Sequence, residues 1–181
     1  GIQVPNGDEY IEAMLASFKL RAVPVNVNYR YVGAELRHLY ADAGLVALVH
    51  HVDFAAQVAD AIDAMAERKA VLTVGPGGSY EQLLATAMPS RSYPPRSADD
   101  LYCVYTGGTT GLPKGVLWRQ EDIFFAAMDL SAMGLADPPA SPEALAERVK
   151  ETAGTLTMAT AAPLMHGAAQ WAAFICFHQG N

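Results

Sequence analysis

The sequence predicts an α/β fold in which mostly parallel strands are flanked by helices. Short continuous apolar runs, typical of strands buried on both faces, occur at residues 45–49 and 71–74. Segments with apolar residues at helical spacing separate these runs, and strands that alternate with helices pair in parallel through right-handed crossovers. The chain has 181 residues, of which 51% are hydrophobic, so it is large and apolar enough to bury a core.

The first half of the chain predicts an alternating series of elements. Asn6 or Asp8 can cap a first helix, whose apolar stripe runs from Ile11 to Phe18. A strand over 22–28 contains Pro24, which favours a sheet edge. Then follow, in order, a helix over 32–43, a strand over 45–49, a helix over 54–68, a strand over 71–74 and a short helix over 80–87.

A proline-rich stretch over 89–99 has no periodicity and predicts a surface linker. It separates an α/β subregion, residues 1–88, from a second subregion, residues 100–181, within one partial domain. In the second subregion we expect a strand over 101–105, extended chain over 115–118, helices over 121–133 and 142–152, a strand over 155–161 and a helix from 163 to about 178.

Charge and composition exclude several functions. The net charge is −7, which argues against a nucleic-acid groove because phosphate neutralisation needs clustered Lys and Arg. No run of apolar residues is long enough for a membrane span. The two cysteines, Cys103 and Cys176, are too few for a disulfide scaffold or a four-cysteine metal site. The first residues do not resemble a secretion signal, so we expect a cytoplasmic protein.

The segment over 106–114 carries the chemistry, because it combines three glycines, three threonines and a lysine between two predicted strands. Glycines let backbone N–H groups approach a ligand, hydroxyls add polar contacts, and the lysine adds positive charge, so a polyphosphate is the matching ligand. The alternative is a plain hairpin loop, which needs neither three threonines nor a lysine. Pro113 before the lysine and Gly115 after it exclude a Walker A loop.

Residues 105–115 resemble the phosphate-binding loop of the adenylate-forming superfamily, which contains acyl-CoA synthetases, peptide-synthetase adenylation domains and luciferases. Residues 162–167 resemble the family's Pro-Leu-x-His segment, which borders the acyl pocket. Residues 6–29 resemble its opening helix and strand, and the Asn-x-Asn-Tyr-Arg stretch over 26–30 is typical of fatty-acid–CoA ligases. The resemblance covers nearly the whole chain and is strongest to bacterial acyl-CoA synthetases, so we expect part of the large N-terminal domain of such an enzyme.

The resemblance implies a reaction and a role for each matched residue. A carboxylate attacks the α-phosphorus of ATP to give an acyl-adenylate and pyrophosphate, and the CoA thiol then displaces AMP. Residues that would bind the β- and γ-phosphates are Thr106, Gly107, Gly108, Thr109, Thr110, Gly111 and Lys114. Lys114 would also be catalytic, and Thr106 would lie near Mg²⁺. Many members have Ser at position 107, so one hydroxyl is missing here.

His166, Gly167 and Trp171 would border the carboxylic acid substrate, although core packing explains Trp171 equally well. The family's adenine-binding Tyr-Gly-x-Thr-Glu segment, ribose-binding Asp and C-terminal lysine do not occur in the sequence. We therefore expect an N-terminal-domain fragment that does not complete adenylation alone and whose exposed apolar surface favours homo-oligomers.

Two other functions stay open at this point. A peptide-synthetase adenylation domain shares the first reaction step, but the stretch over 26–30 favours the acyl-CoA synthetase. A non-catalytic nucleotide- or partner-binding module is the second alternative, and the intact loop argues against it. Long fatty acids and steroid side chains are both compatible with the sequence as acyl groups.

Overall fold

The computed structural model describes residues 1–108, 111–154 and 157–181. The strands are β1 (Ile2–Gln3), β2 (Ala47–His51), β3 (Ala70–Val74), β4 (Leu101–Gly108) and β5 (Gly111–Arg119). The helices are α1 (Asp8–Lys19), α2 (Ala34–Asp42), α3 (Ala55–Ala61), α4 (Ser79–Thr86), α5 (Gln120–Ile123), α6 (Pro142–Thr152) and α7 (Gly167–Phe177). Among the described residues, none of these helices has the length and apolar character that a membrane crossing requires.

The first three strands form a parallel sheet in the order β1-β2-β3. Ile2 pairs with Val49, and Leu48 pairs with Val71. Helices connect the strands, so the predicted α/β class with parallel pairing is confirmed. Strand β1 was missed because two residues give no periodicity, and β2 begins two residues later than the predicted strand.

Strands β4 and β5 form an antiparallel hairpin, and β4 lies between two hydrophobic cores. Successive side chains of a strand point to opposite faces, so Tyr102 and Val104 enter one core while Cys103 and Tyr105 enter the other. The first core comprises Ile2, Val4, Tyr10, Met14, Val74, Tyr80, Tyr102, Val104, Ile123, Met128, Leu164, Ala169 and Phe174. The second comprises Val25, Val27, Leu36, Leu39, Tyr40, Leu45, Leu48, Val58, Ala61, Met65, Cys103 and Tyr105.

Two predicted strands are not regular strands. Residues 22–28 make only isolated bridges, from Asn26 to Ile2 and from Val25 to Cys103. Of the strand predicted over 155–161, residues 155 and 156 lie outside the described part, and 157–161 do not form a strand. Strand propensity depends on a neighbouring strand, and no described strand pairs with 157–161.

Two predicted helices are shorter than their apolar patterns suggested. The predicted helix over 54–68 is an α-helix only over Ala55–Ala61 and ends in a 3₁₀ turn. The predicted helix over 121–133 is α-helical only in α5, continues as a π turn and then breaks at Asp129. Asp129 has extended backbone, accepts a hydrogen bond from the Ser131 N–H and pairs with Arg148. The Asp129 carboxylate thus caps the 3₁₀ turn that follows the break and also pairs with Arg148.

The end of α1 is tied to the start of β4 by Arg21 and Asp100. The Arg21 backbone has φ +56°, which a residue other than glycine adopts only when its surroundings hold it there. Its Nε and Nη2 atoms donate to Asp100 Oδ1 at 2.9 and 2.7 Å. Hydrogen bonds from this guanidinium and from the Ser97 N–H hold the pKa of Asp100 below its usual range.

We expect Asp100→Asn to remove a pH-dependent part of the stability. Because the folded-state pKa of Asp100 is lowered, its contribution is fully present above the unfolded-state pKa of about 3.9 and is lost as the pH falls through the folded value. The difference in urea midpoint between wild type and variant should be largest near neutral pH and shrink below about pH 4. A difference that stays constant with pH would show that the ion pair does not stabilise the fold.

Candidate functional site

The loop predicted to bind phosphate is the end of the β4–β5 hairpin. Thr106 pairs with Lys114, and Gly108 pairs with Gly111. Directly paired residues of antiparallel strands project from the same face, so the hairpin brings the predicted metal-side hydroxyl and the predicted catalytic ammonium side by side. Thr106, Gly107, Gly111 and Lys114 are exposed, as a ligand-binding loop requires. Thr109 and Thr110, with the same predicted role, lie outside the described residues.

The hairpin contains a bulge beside the lysine. Between the two pairs, Leu112 and Pro113 of β5 oppose Gly107 alone on β4. Proline has no N–H to donate to a ladder, so a bulge suits it. Pro113 is buried, whereas the next residue, Lys114, is exposed. In the described part of the chain no carboxylate forms an ion pair with Lys114, so its charge is available to an anion.

Helix α2 contacts the hairpin through two hydrogen bonds. His38 Nε2 lies 3.0 Å from the Pro113 carbonyl oxygen. A carbonyl only accepts, so Nε2 carries the proton in this contact. At the end of the same helix, Asp42 accepts a 2.6 Å hydrogen bond from the Tyr105 hydroxyl. These two contacts fix the hairpin to α2 at Pro113 and at Tyr105, on either side of Lys114.

Gly115 lies opposite Tyr105 in the hairpin, and the Tyr105 ring packs against its backbone. A Cβ atom at position 115 would lie 2.7 Å from Tyr105 Cε2 and 3.2 Å from Cys103 Sγ. The Tyr105 ring cannot retreat easily, because its hydroxyl is bonded to Asp42. The glycine that closes the phosphate-loop motif is therefore required by packing under the loop.

The phenol and the thiol beneath the loop are both neutral. Burial, and then the neighbouring Asp42, raises the pKa of Tyr105 above its usual range. Burial raises the pKa of the Cys103 thiol to about 11. Cys103 therefore remains a protonated thiol near neutral pH and acts as a small buried hydrophobe.

We expect Tyr105→Phe to destabilise the protein by about 1 kcal/mol, since it removes one hydrogen bond to a partly hydrated carboxylate and leaves the ring in place. Urea unfolding of wild type and variant measures the difference. Tyr93→Phe is a control, because the Tyr93 hydroxyl bonds to the Ser90 carbonyl within the exposed linker. Equal effects of both variants would contradict a supporting role for the bond to Asp42.

The second predicted segment, residues 162–167, leads into α7. Leu164 and Met165 are buried, whereas His166 is exposed and precedes the first residue of the helix, Gly167. Asn6 holds the segment, because its Nδ2 donates to the Ala162 carbonyl at 3.1 Å and its Oδ1 accepts from the Leu164 N–H at 2.7 Å. Asn6 or Asp8 was predicted to cap the first helix, but α1 has no side-chain cap.

Trp171 lies against the first core. It is partly buried, and its Cζ2 atom lies 3.2 Å from the point that a Cβ atom of residue 167 would occupy. The ring thus covers Gly167 at the start of α7, next to the exposed His166. The three residues predicted to border the acid lie together at this end of the helix.

Asn26 joins the two predicted segments, a contact that the sequence did not reveal. Its Oδ1 accepts from the Tyr105 N–H at 2.6 Å, and its Nδ2 donates to the Tyr105 carbonyl at 2.9 Å. The same Nδ2 donates to the Met165 carbonyl at 2.6 Å. One buried amide therefore holds the backbone just before Thr106 next to the backbone just before His166.

The described residues contain no group of three or more His, Cys, Asp or Glu side chains that could hold a metal ion. The hydroxyl oxygen of the exposed Thr106 could serve as a ligand at the place where the resemblance puts Mg²⁺. Mg²⁺ keeps several waters and takes substrate phosphates as ligands, with few ligands from the protein. The residues present fit an ion that arrives with a nucleotide.

Comparison with known proteins finds acyl-CoA ligases that are similar to this chain over its full length. The chain is 38% identical over 192 residues to medium-chain acyl-CoA ligase Mig of Mycobacterium avium, covering 100% of this chain and 34% of the relative. It is 38% identical over 191 residues to 3-oxocholest-4-en-26-oate–CoA ligase of Rhodococcus rhodochrous, with the same two coverages of 100% and 34%. The chain thus spans only 34% of the length of these curated relatives.

A solved structure has the same fold. The long-chain-fatty-acid–CoA ligase FadD1 of Archaeoglobus fulgidus superimposes with a TM-score of 0.74 at 23% identity, over 100% of this chain and 33% of that one. The family model of the AMP-binding enzymes matches residues 1–181. The resemblance predicted from the two motifs is confirmed by this match, and the chain belongs to the AMP-binding enzyme family.

Proposed function

We propose that this chain is part of an ATP-dependent acyl-CoA ligase, which joins a carboxylic acid to CoA through an acyl-adenylate. The observation that carries the proposal is the juxtaposition of two motifs through Asn26: a hairpin with Thr106 opposite Lys114, and the segment that ends at His166. This reaction brings a nucleoside triphosphate and a carboxylic acid together. The hairpin is suited to bind the triphosphate, and the segment that ends at His166 is suited to bind the acid. The names of the similar proteins support the same activity.

The hairpin contributes to the first step by positioning and by charge. Lys114 faces the β- and γ-phosphates and stabilises the charge that develops on the leaving pyrophosphate. Backbone N–H groups of the glycine-rich turn and the Thr106 hydroxyl orient the chain of phosphates so that the α-phosphorus faces the acid. When bound, Mg²⁺ would add positive charge on the phosphate oxygens, held on the protein side by Thr106.

The acid lies at the start of α7. His166, Gly167 and Trp171 border it, with the exposed imidazole nearest to solvent and the indole at the buried end. The similar proteins act on a medium-chain acid in one case and on the steroid acid 3-oxocholest-4-en-26-oate in the other. We propose an aliphatic or steroid-side-chain acid of this class as the substrate. We also propose a cytoplasmic location, because ATP and CoA are cytoplasmic metabolites.

The experiment is turnover by the intact protein in which this chain lies. Purified enzyme is incubated with ATP, Mg²⁺ and either octanoate, palmitate or 3-oxocholest-4-en-26-oate, and pyrophosphate release and acyl-CoA formation are measured with and without CoA. We expect pyrophosphate release that depends on the acid, and acyl-CoA only when CoA is added. Adenylate formation without any transfer to CoA would favour the peptide-synthetase alternative, and no reaction with any acid would contradict both.

A further inference from the structure

The Asn26 side chain makes three hydrogen bonds, and all three join it to the two functional segments. It is 5% exposed, and it makes the three bonds to the backbone of Tyr105 and Met165 described above. This contact set needs one acceptor and two donors on one planar group, which among the short side chains only asparagine provides. The two carbonyl oxygens accept from the same nitrogen and are therefore close neighbours.

Each bonded residue directly precedes a residue of the proposed site. Thr106 follows Tyr105, and His166 follows Met165. Residue 26 is separated from these two partners by 79 and 139 positions in the chain. A shift of the amide therefore moves the phosphate loop relative to the acid-binding segment. Each segment keeps its other hydrogen bond, from the Tyr105 hydroxyl to Asp42 in the loop and from the Leu164 N–H to Asn6 in the segment.

We infer that Asn26 is a positioning residue that fixes the spacing between the bound ATP and the bound acid. The inference rests on the function proposed above. Attack of the carboxylate on the α-phosphorus requires the reacting atoms to lie close and aligned, and a misplacement of about 1 Å can cost about a hundredfold in rate. Asn26 is buried, so it acts through the two backbone segments and does not touch either substrate.

The test compares Asn26→Asp with wild type in the intact enzyme. Aspartate has nearly the same shape, but its carboxylate cannot donate to the two carbonyls. We expect kcat for acid-dependent pyrophosphate release to fall about ten- to a hundredfold, while the KM for ATP and the KM for the acid stay close to wild type. Acyl transfer to CoA from preformed acyl-adenylate should fall less, because the covalent bond already sets the spacing.

Two further variants separate positioning from general stability. Asn26→Ser keeps a small neutral side chain and replaces the aspartate variant if that protein does not fold. Tyr40→Phe is the matched control, since it removes another buried side-chain hydrogen bond, the 2.6 Å bond from the Tyr40 hydroxyl to Gln3 Oε1, in which neither segment takes part. Urea unfolding of all variants ranks their stability before the kinetic comparison.

The outcomes are distinct. A loss of kcat in Tyr40→Phe equal to that in the Asn26 variants would reduce Asn26 to a structural role and overturn the inference. A rise in the KM for ATP that accounts for the whole loss would overturn it too, because Asn26 would then serve the phosphate loop alone. Absence of turnover in the wild-type enzyme would contradict the proposed function itself, whereas normal wild-type turnover with unchanged kcat in the variants would contradict only the role of Asn26.

Discussion

Replacing Lys114 with alanine in the intact enzyme should lower kcat/KM for ATP by about ten- to a hundredfold. The substitution removes a charge-assisted contact worth roughly 1.5–3 kcal/mol, and about 1.4 kcal/mol corresponds to a factor of ten in rate. Lys114 is exposed and pairs across the hairpin with Thr106, so its loss should leave the fold intact. Pyrophosphate release at varied ATP concentration measures the effect.

The second half-reaction is the internal comparison for Lys114→Ala. Pyrophosphate has left by that stage, so acyl transfer from preformed acyl-adenylate to CoA should stay near the wild-type rate. Lys150→Ala is a matched control, because Lys150 is an exposed lysine that pairs with Glu147 on the surface of α6, and such pairs contribute little. Equal losses in both half-reactions would mean that Lys114 supports the fold or the acid site rather than the phosphates.

Replacing Gly115 with alanine should destabilise the protein by about 1–3 kcal/mol, because the new methyl group overpacks the space under the loop. Its carbon would lie 2.7 and 3.0 Å from two atoms of the Tyr105 ring. The ring is held by Asp42, so relief requires movement of the hairpin that carries Lys114. Urea unfolding measures the loss of stability, and the KM for ATP reports whether the loop has shifted.

Gly111→Ala is the control for this prediction. In the described part of the chain, no atom beyond its chain neighbours lies within 4 Å of the point that a Cβ atom of residue 111 would occupy, although the residue lies on the same strand. We therefore expect Gly111→Ala to unfold at nearly the wild-type urea concentration. Similar destabilisation by the two substitutions would mean that chain flexibility, not contact with Tyr105, explains the need for glycine at position 115.

The amino-acid sequence by itself determined those parts of the protein whose signals are local. Helix α6 has the predicted bounds because Ser141 accepts a hydrogen bond from the Ala144 N–H and Pro142 occupies the first turn. Strand β3 also follows its apolar pattern closely, and helix α7 ends near the predicted residue but begins at Gly167, later than predicted. The family could be recognised from the motif over 105–115 because the glycines, threonines and lysine occur together in consecutive positions.

Only the tertiary structure decided what the isolated polar residues do. Asn6 was predicted as a cap but holds a backbone segment 156 and 158 positions away, and Asn26 joins two segments that the sequence identified only separately. Asp129, inside a predicted helix, pairs with Arg148 19 positions away, and residues 157–161 lack a described strand to pair with. Helical spacing and turn residues act over a few positions, whereas a buried polar group takes whichever partner the folded chain brings to it, and no local pattern encodes that choice.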